Sequence, residues 1–170
     1  MKKDSTGYKV VLLGVLCAIC GLLLAVVNSL TAPVIAERSL AAEKENLDKI
    51  YPGAEFTEVT NFKDDTGLVQ SVFQAEGKGY VFKVSGMGYN SNGFTFMIAF
   101  NNDGTCGGFT AVEQSESPGI GARAFEDDYV SQISQITATE DAPLLSGATL
   151  TTTAIRKGVA AAEAVFAQLN

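Results

Sequence analysis

The chain contains no histidine and only three cysteines. Without an imidazole, it can form no histidine metal site, no histidine general acid or base and no histidine ligand to haem. Cys17 and Cys20 lie in a long apolar run and Cys106 lies alone elsewhere, so a disulfide framework is not expected. The first two have redox spacing, but their apolar setting favours a packing role.

Charged residues are missing from one long stretch of the chain. The formal net charge is -7, and no basic stripe is present, which argues against a nucleic-acid partner. No charged residue occurs from Val10 to Ala36. This run is long enough to span a bilayer, and it exceeds the core of a cleaved signal peptide, about 7–15 residues. We predict a retained anchor, with a signal peptide cleaved near Val34-Ile35-Ala36 as the alternative.

The lysines near the N-terminus predict the orientation of this anchor. Lys2, Lys3 and Lys9 precede the apolar run, whereas the basic residues after it are more widely spaced. By the positive-inside rule, the N-terminus lies in the cytoplasm and the rest of the chain on the outer face of the cell membrane. The predicted parts are a cytoplasmic N-terminus, 1–9, a transmembrane helix, 10–33, and an extracytoplasmic domain, 37–170.

The remainder of the chain predicts an α+β fold. Valine and aromatic residues cluster in four predicted strands, Val69–Ala75, Tyr80–Ser85, Phe94–Phe100 and Cys106–Val112. An Asn102-Asp103-Gly104 turn joins the last two as a hairpin. Three helices are predicted, at Glu37–Ile50, at Ala122–Ile136 and after Ser146. We therefore expect one N-terminal transmembrane helix and then a single domain of antiparallel sheet with flanking helices.

The predicted C-terminal helix begins with Ser146-Gly147-Ala148-Thr149. Its apolar positions form one stripe, consisting of Ile155, Val159, Ala162, Phe166 and Leu169. Thr149 lies roughly 120° round the helix from that stripe, so its side chain should be accessible. Backbone N–H groups, the positive end of the helix dipole and nearby hydroxyls together favour a bound phosphate. The alternative is an N-cap serine before a threonine-rich first turn.

Ser146 to Thr149 resembles the S-G-A-T site of bacterial flavoproteins that carry FMN through a phosphoester bond to threonine. Gly86-Met87-Gly88-Tyr89 is similar to the G-x-G-Y segment of the same family. The Asn102–Gly104 hairpin is similar to its central hairpin, and Glu116–Gly121 resembles its E-T-P-G-L-G loop. The order and spacing also match, so the chain resembles the FMN-binding domain proteins over essentially its whole length.

The resemblance implies a covalent FMN on Thr149. Thr152 and Thr153 would offer hydroxyls near its phosphate, and the Pro118–Gly121 loop would let backbone approach the isoalloxazine ring. No side chain would be an acid–base catalyst or a metal ligand. The implied cofactor-binding residues are Thr149, Ser146, Gly147, Ala148, Leu150, Thr152 and Thr153 on the helix, with Glu116, Ser117, Pro118, Gly119 and Gly121 on the loop.

The family resemblance also implies a function. It suggests an electron relay within an ion-translocating ferredoxin:NAD oxidoreductase complex, a subunit that is not catalytic alone. The implied partners are other subunits of that membrane redox complex, the membrane itself and a flavin transferase for maturation. The alternatives are a stand-alone FMN electron carrier for an extracytoplasmic reductase, and a non-redox anchored domain whose Ser146 stretch merely caps a helix.

Overall fold

The structure is a computed structural model in which residues 6–169 are described. The chain forms two compact units, Met1–Ala42 and Glu43–Asn170. The first helix, α1, is Thr6–Ile50, and the boundary between the units falls within it. Among the described residues, α1 is the one helix long and apolar enough to cross a membrane. Its leucines and valines up to Leu40 are exposed, as expected for a helix whose solvent is lipid.

The predicted break between the helix at 10–33 and the helix at Glu37–Ile50 is wrong, because α1 is continuous and Pro33 lies inside it. A proline removes only one hydrogen bond of the i→i−4 ladder, and apolar membrane helices accommodate that loss. Nearby hydroxyls bond to carbonyls of the preceding turn: Ser29 donates to Val26 at 2.8 Å and Thr31 to Val27 at 2.9 Å. The helix ends before Tyr51-Pro52-Gly53, as predicted.

The second unit is built on a five-stranded antiparallel sheet in which each strand pairs with the next along the chain. The strands are β1 (Phe56–Val59), β2 (Val69–Ala75), β3 (Gly79–Gly86), β4 (Phe94–Asn101) and β5 (Cys106–Gln114). Four of them match the sequence predictions and the turn at Asn102–Gly104 joins β4 to β5. The edge strand β1 was not predicted, since four residues are too short for a pattern.

The two faces of the sheet bury different parts of the chain. Phe82, Phe96 and Ile98 belong to the larger core, which helices of the C-terminal half cover. Val81, Met97 and Ala99 face the other way, against Leu47 and Tyr51 at the end of α1. On that second face, Lys83 Nζ lies 2.7 Å from Glu43 Oε1 in a largely buried ion pair. The last turns of α1 are therefore part of the globular unit.

The single helix expected over Ala122–Ile136 is wrong. A 3-10 helix, Gly121–Phe125, is followed by a short α-helix, α2 (Asp127–Ile133). Glu126 between them has an extended backbone, with φ −79° and ψ 155°, and serves as the N-cap of α2. Two aspartates in the first turn of α2 favour a new helix start at that point. The apolar spacing of Phe125, Tyr129 and Ile133 favours one buried helix face, and Tyr129 and Ile133 are buried while Phe125 is half-buried.

The last helix, α3 (Thr149–Leu169), packs on the sheet through the predicted stripe. Ile155, Val159 and Ala162 are fully buried. Gly158 brings the helix backbone close to the sheet, because a Cβ there would lie 2.8 Å from Phe96 Cζ and 2.8 Å from Val84 Cγ1. This close contact sets the distance between α3 and the sheet.

We expect Gly158→Val to destabilise the domain by about 1–3 kcal/mol, the usual range for overpacking a tight core. Ala160→Val places the same side chain on the exposed side of the same helix and should cost well under half as much. Chemical denaturation of both full-length variants in detergent measures the difference. Equal losses for the two variants would show that the contact at Gly158 is not tight.

Candidate functional site

The segment before α3 turns at Gly147 and leads to Thr149, the first residue of the helix. Gly147 has φ 85°, which only glycine adopts readily, and α3 begins at Thr149. Thr149 is exposed, and its hydroxyl makes one long hydrogen bond, donating to the Leu145 carbonyl at 3.4 Å. The predicted accessibility of Thr149 is confirmed. The N–H of Ala148 donates to the Leu145 carbonyl at 3.0 Å, so that group is already used.

The other threonines of the turn differ from Thr149 in accessibility. Thr152 is fully buried; its hydroxyl donates to the Ala148 carbonyl at 3.1 Å and accepts from the Leu145 N–H at 3.3 Å. Thr151 is also fully buried. Thr153 is half-buried and lies on the side of α3 that carries Leu150. Thr152 therefore stabilises the start of the helix from within the fold.

Three side chains hold the linker that leads to Thr149. Arg123 Nη1 donates to the Ser146 carbonyl at 3.0 Å, and the hydroxyl of Tyr129 donates to the Pro143 carbonyl at 3.1 Å. Arg156, on α3, donates to the carbonyls of Ala142 and of Glu140. Sequence reasoning missed Arg123. The feature that could have indicated a role for Arg123 is its position just after the Glu116–Gly121 loop, in a chain with a net negative charge.

Glu116 is the most enclosed polar side chain of the loop, with 5% of its surface exposed. Its Oε2 accepts a hydrogen bond from the Tyr89 N–H at 3.2 Å and from the Thr151 hydroxyl at 3.1 Å. The Asn90 N–H lies 3.4 Å from both carboxylate oxygens. One carboxylate thus joins the glycine-rich turn after β3, the loop after β5 and the first turn of α3.

Two motif glycines make room for this carboxylate. A Cβ on Gly88 would lie 2.5 Å from Glu116 Oε1 and 2.6 Å from Thr151 Oγ1. A Cβ on Gly121 would overlap Glu116 Oε2 and lie 2.7 Å from Thr151 Oγ1. The open side of Gly121 therefore faces Glu116 and Thr151, which gives this glycine a packing role inside the loop.

The rest of the loop is a compact exposed turn. The N–H groups of Ile120 and Ala122 donate to the Ser117 carbonyl at 3.1 and 3.2 Å. Pro118 and Gly119 are exposed, and Gly119 has φ 75° with open space around its missing Cβ. The structure brings this loop against the start of α3.

A groove of about 360 Å³ runs along α3 from Leu150 to Lys157. One wall is helical and the other comes from the end of β3 and the turn after it. Met87 and Leu150 are exposed by 68% and 65%, so the mouth of the groove is apolar. The lining residues are Leu68, Gly86, Met87 and Gly88 opposite Leu150, Thr153, Ala154 and Lys157.

Comparisons with known proteins agree with this geometry. Residues 88–163, from the turn after β3 into α3, match the sequence model of the FMN-binding domain. Residues 1–50, which include all of α1, match the RnfG N-terminal region. The chain is 27% identical over 165 residues to the G subunit of the proton-translocating ferredoxin:NAD(+) oxidoreductase complex of Clostridium ljungdahlii, covering 86% of this chain and 84% of that protein.

The chain therefore contains an FMN-binding domain. The region matched to the FMN-binding domain contains Glu116, Arg123, Thr149 and the helical wall of the groove. These residues fit FMN by their chemistry. An exposed hydroxyl and a helix N-terminus suit a phosphate, and an apolar groove suits a flat ring. Arg123 adds a positive charge beside the segment that ends in Thr149.

The tyrosine that holds the linker makes this FMN-binding domain sensitive to base. Burial raises the pKa of Tyr129 to about 12, against which the charge of Arg156 acts in part. The unfolded chain loses this proton near pH 10, so the free energy of unfolding should fall as pH rises from about 10 towards 12. Tyr129→Phe should reduce that fall by roughly 2 kcal/mol.

Urea unfolding at pH 10, 11 and 12 measures this dependence. Tyr51, whose pKa burial also raises to about 12, should keep part of the slope in the Tyr129→Phe variant. If the free energy of unfolding depends on pH equally in the variant and the unchanged protein, Tyr129 has the same pKa in the folded and unfolded states.

Proposed function

We propose that this chain is a membrane-anchored electron carrier that holds FMN on Thr149 and works in an ion-translocating ferredoxin:NAD oxidoreductase complex like that of its relative. The observation that carries the proposal is the exposed Thr149 at the N-terminus of α3, inside the region that matches the FMN-binding domain. The apolar exposed α1 and the match to the RnfG N-terminal region support the anchor.

The phosphate of FMN would be held where α3 begins. A phosphoester at Thr149 keeps one negative charge, which the helix dipole stabilises by about 0.3–1 kcal/mol. The first N–H groups of a helix have no acceptor within the helix and can donate to phosphate oxygens. Arg123 uses one N–H for the Ser146 carbonyl, and a guanidinium has five such donors. The remaining ones are available to the phosphate.

The groove beside α3 is the seat we propose for the ring. Leu150, the residue after Thr149, lines it, so a cofactor attached to Thr149 starts at its edge. Met87 and Leu150 offer apolar surface for the flat faces of the ring, and the Lys157 ammonium group offers a positive charge within the same groove. A cavity of about 410 Å³ on the other side of Met87 is lined by no residue of α3.

The surroundings of this groove also suit contact with other subunits. In the described part of the unit from Glu43 onwards, the large apolar side chains that are exposed all lie in segments that meet at the start of α3. They are Met87, Tyr89, Ile120, Leu144 and Leu150. An apolar region of this kind marks a cofactor site or a protein contact. Electrons would enter and leave there.

The bound FMN supplies the redox chemistry, and the protein supplies position and electrostatics. Thr149 holds the cofactor, Arg123 and the helix N-terminus balance the phosphate charge, and the groove keeps water from part of the ring. A covalent bond suits a carrier outside the cytoplasm, because a dissociated FMN there would be lost. We propose that a flavin transferase makes the bond and that other subunits donate and accept the electrons.

Thr149→Val should abolish covalent FMN in protein made together with a flavin transferase, because it removes the acceptor hydroxyl. Thr57→Val, at an exposed threonine of β1 outside the groove, is the control and should keep the flavin. Flavin fluorescence of the denatured protein in a gel gives the yield, and peptide mass spectrometry gives the position. FMN on Thr151, Thr152 or Thr153 would disprove the assignment; no flavin at all would favour a non-redox anchored domain.

The proposed orientation, with residues 1–9 in the cytoplasm and the domain outside, is tested by thiol labelling. In a cysteine-free background, Glu58→Cys places one thiol on an exposed position of β1. We expect it to react with a membrane-impermeant maleimide in intact cells, or in spheroplasts if an outer membrane is present. Thr6→Cys should react only after lysis. The opposite pattern would reverse the orientation.

A further inference from the structure

The geometry points to Glu116 as a positioning residue that, with Thr151, sets the width of the groove between Met87–Gly88 and Leu150. The two walls of the groove belong to different segments of the chain, the turn after β3 and the first turns of α3. The Tyr89 N–H is the link between them, because it donates to Glu116 Oε2 at 3.2 Å and to Thr151 Oγ1 at 3.3 Å.

Both carboxylate oxygens of Glu116 accept hydrogen bonds from within the protein. With 5% of its surface exposed, it accepts from two backbone N–H groups and from the Thr151 hydroxyl. Its own N–H donates to Gln114 Oε1 at 2.9 Å, which holds the residue in place. Glu116 therefore acts on the cofactor through the segments that it joins. This assignment differs from the direct cofactor contact expected from the family resemblance.

The neighbouring hydrogen bonds make the turn after β3 a rigid wall. Asn90 Nδ2 donates to the Ser115 carbonyl at 2.6 Å, so the turn is bonded to the loop at Ser115 as well as at Glu116. Gly88 lies between Met87, which lines the groove, and Tyr89, which is bonded to Thr151. A turn rich in glycine would otherwise be mobile, because glycine has the largest backbone freedom to lose.

The first experiment needs no flavin. The hydrogen bonds from the Tyr89 and Asn90 N–H groups to Glu116 and Thr151 are called the clamp here. Hydrogen exchange of these two amides in the full-length apo protein measures the clamp directly. Glu116→Met removes both acceptors at similar volume, and Thr151→Val removes the hydroxyl without changing the shape of the side chain. We expect exchange at Tyr89 to rise roughly tenfold or more in each, the effect of losing about one hydrogen bond. Thr151→Ser and Glu113→Gln, which keep the clamp, should exchange like the unchanged protein.

The second experiment tests positioning and rests on the proposed function, since it uses protein loaded with FMN at Thr149. Iodide quenching of the flavin fluorescence measures access to the ring, and a redox titration gives its midpoint potential. Thr151→Val and Glu116→Met should raise the quenching constant about twofold or more and move the potential towards that of free FMN. Glu116→Gln keeps one acceptor oxygen. Its quenching constant and midpoint potential should lie between those of the two variants and those of the unchanged protein.

The outcomes separate the possible roles. Unchanged amide exchange in both Glu116→Met and Thr151→Val would overturn the clamp. Faster exchange with unchanged quenching and potential in folded, flavin-loaded variants would overturn the positioning role and leave a structural one. If the unchanged protein carries no FMN, the proposed function fails, and the exchange measurements still decide whether Glu116 joins the two walls.

Discussion

The packing of α3 on the sheet is the interaction on which the site depends. Ile155, Val159 and Ala162 are buried against strands whose other face is covered by the end of α1. Gly158 lets the helix approach so closely that a Cβ there would meet Phe96 and Val84. Because α3 packs on the sheet along its length, its first turn is fixed as well. Thr149 therefore has a defined position at the surface of the domain.

The start of α3 collects segments that are far apart in the chain. Glu116 brings the turn after β3 and the loop after β5 to Thr151, while Arg123 holds the Ser146 carbonyl from the 3-10 helix. The buried carboxylate is stable there because backbone N–H groups and a hydroxyl surround it, which replaces its lost hydration. The start of α3 at Thr149 and the walls of the groove are thus parts of one hydrogen-bonded arrangement, and a change in one affects the other.

The sequence correctly predicted the elements that depend on local patterns. Four strands, the Asn102–Gly104 hairpin, the buried stripe of α3 and the exposure of Thr149 follow from periodicity and turn residues, and the structure confirms them. The sequence-based predictions failed where contacts between distant parts of the chain determine the local structure. The extended backbone at Glu126 splits a helix whose apolar spacing is continuous. The hydrogen bonds of Glu116 do not follow from any local pattern, since its partners Tyr89 and Thr151 are remote in sequence.

The position of α3 after the five strands also imposes an order on biosynthesis. The five strands pair only with their sequence neighbours, so the sheet can form progressively as the chain emerges. Its larger apolar face stays uncovered until α3, the last 21-residue element described, has been made. A newly made chain therefore passes through a stage with a finished sheet and an open core, in which Thr149 has no folded surroundings. A ligand that needs the covered core can therefore bind only after α3 has been made.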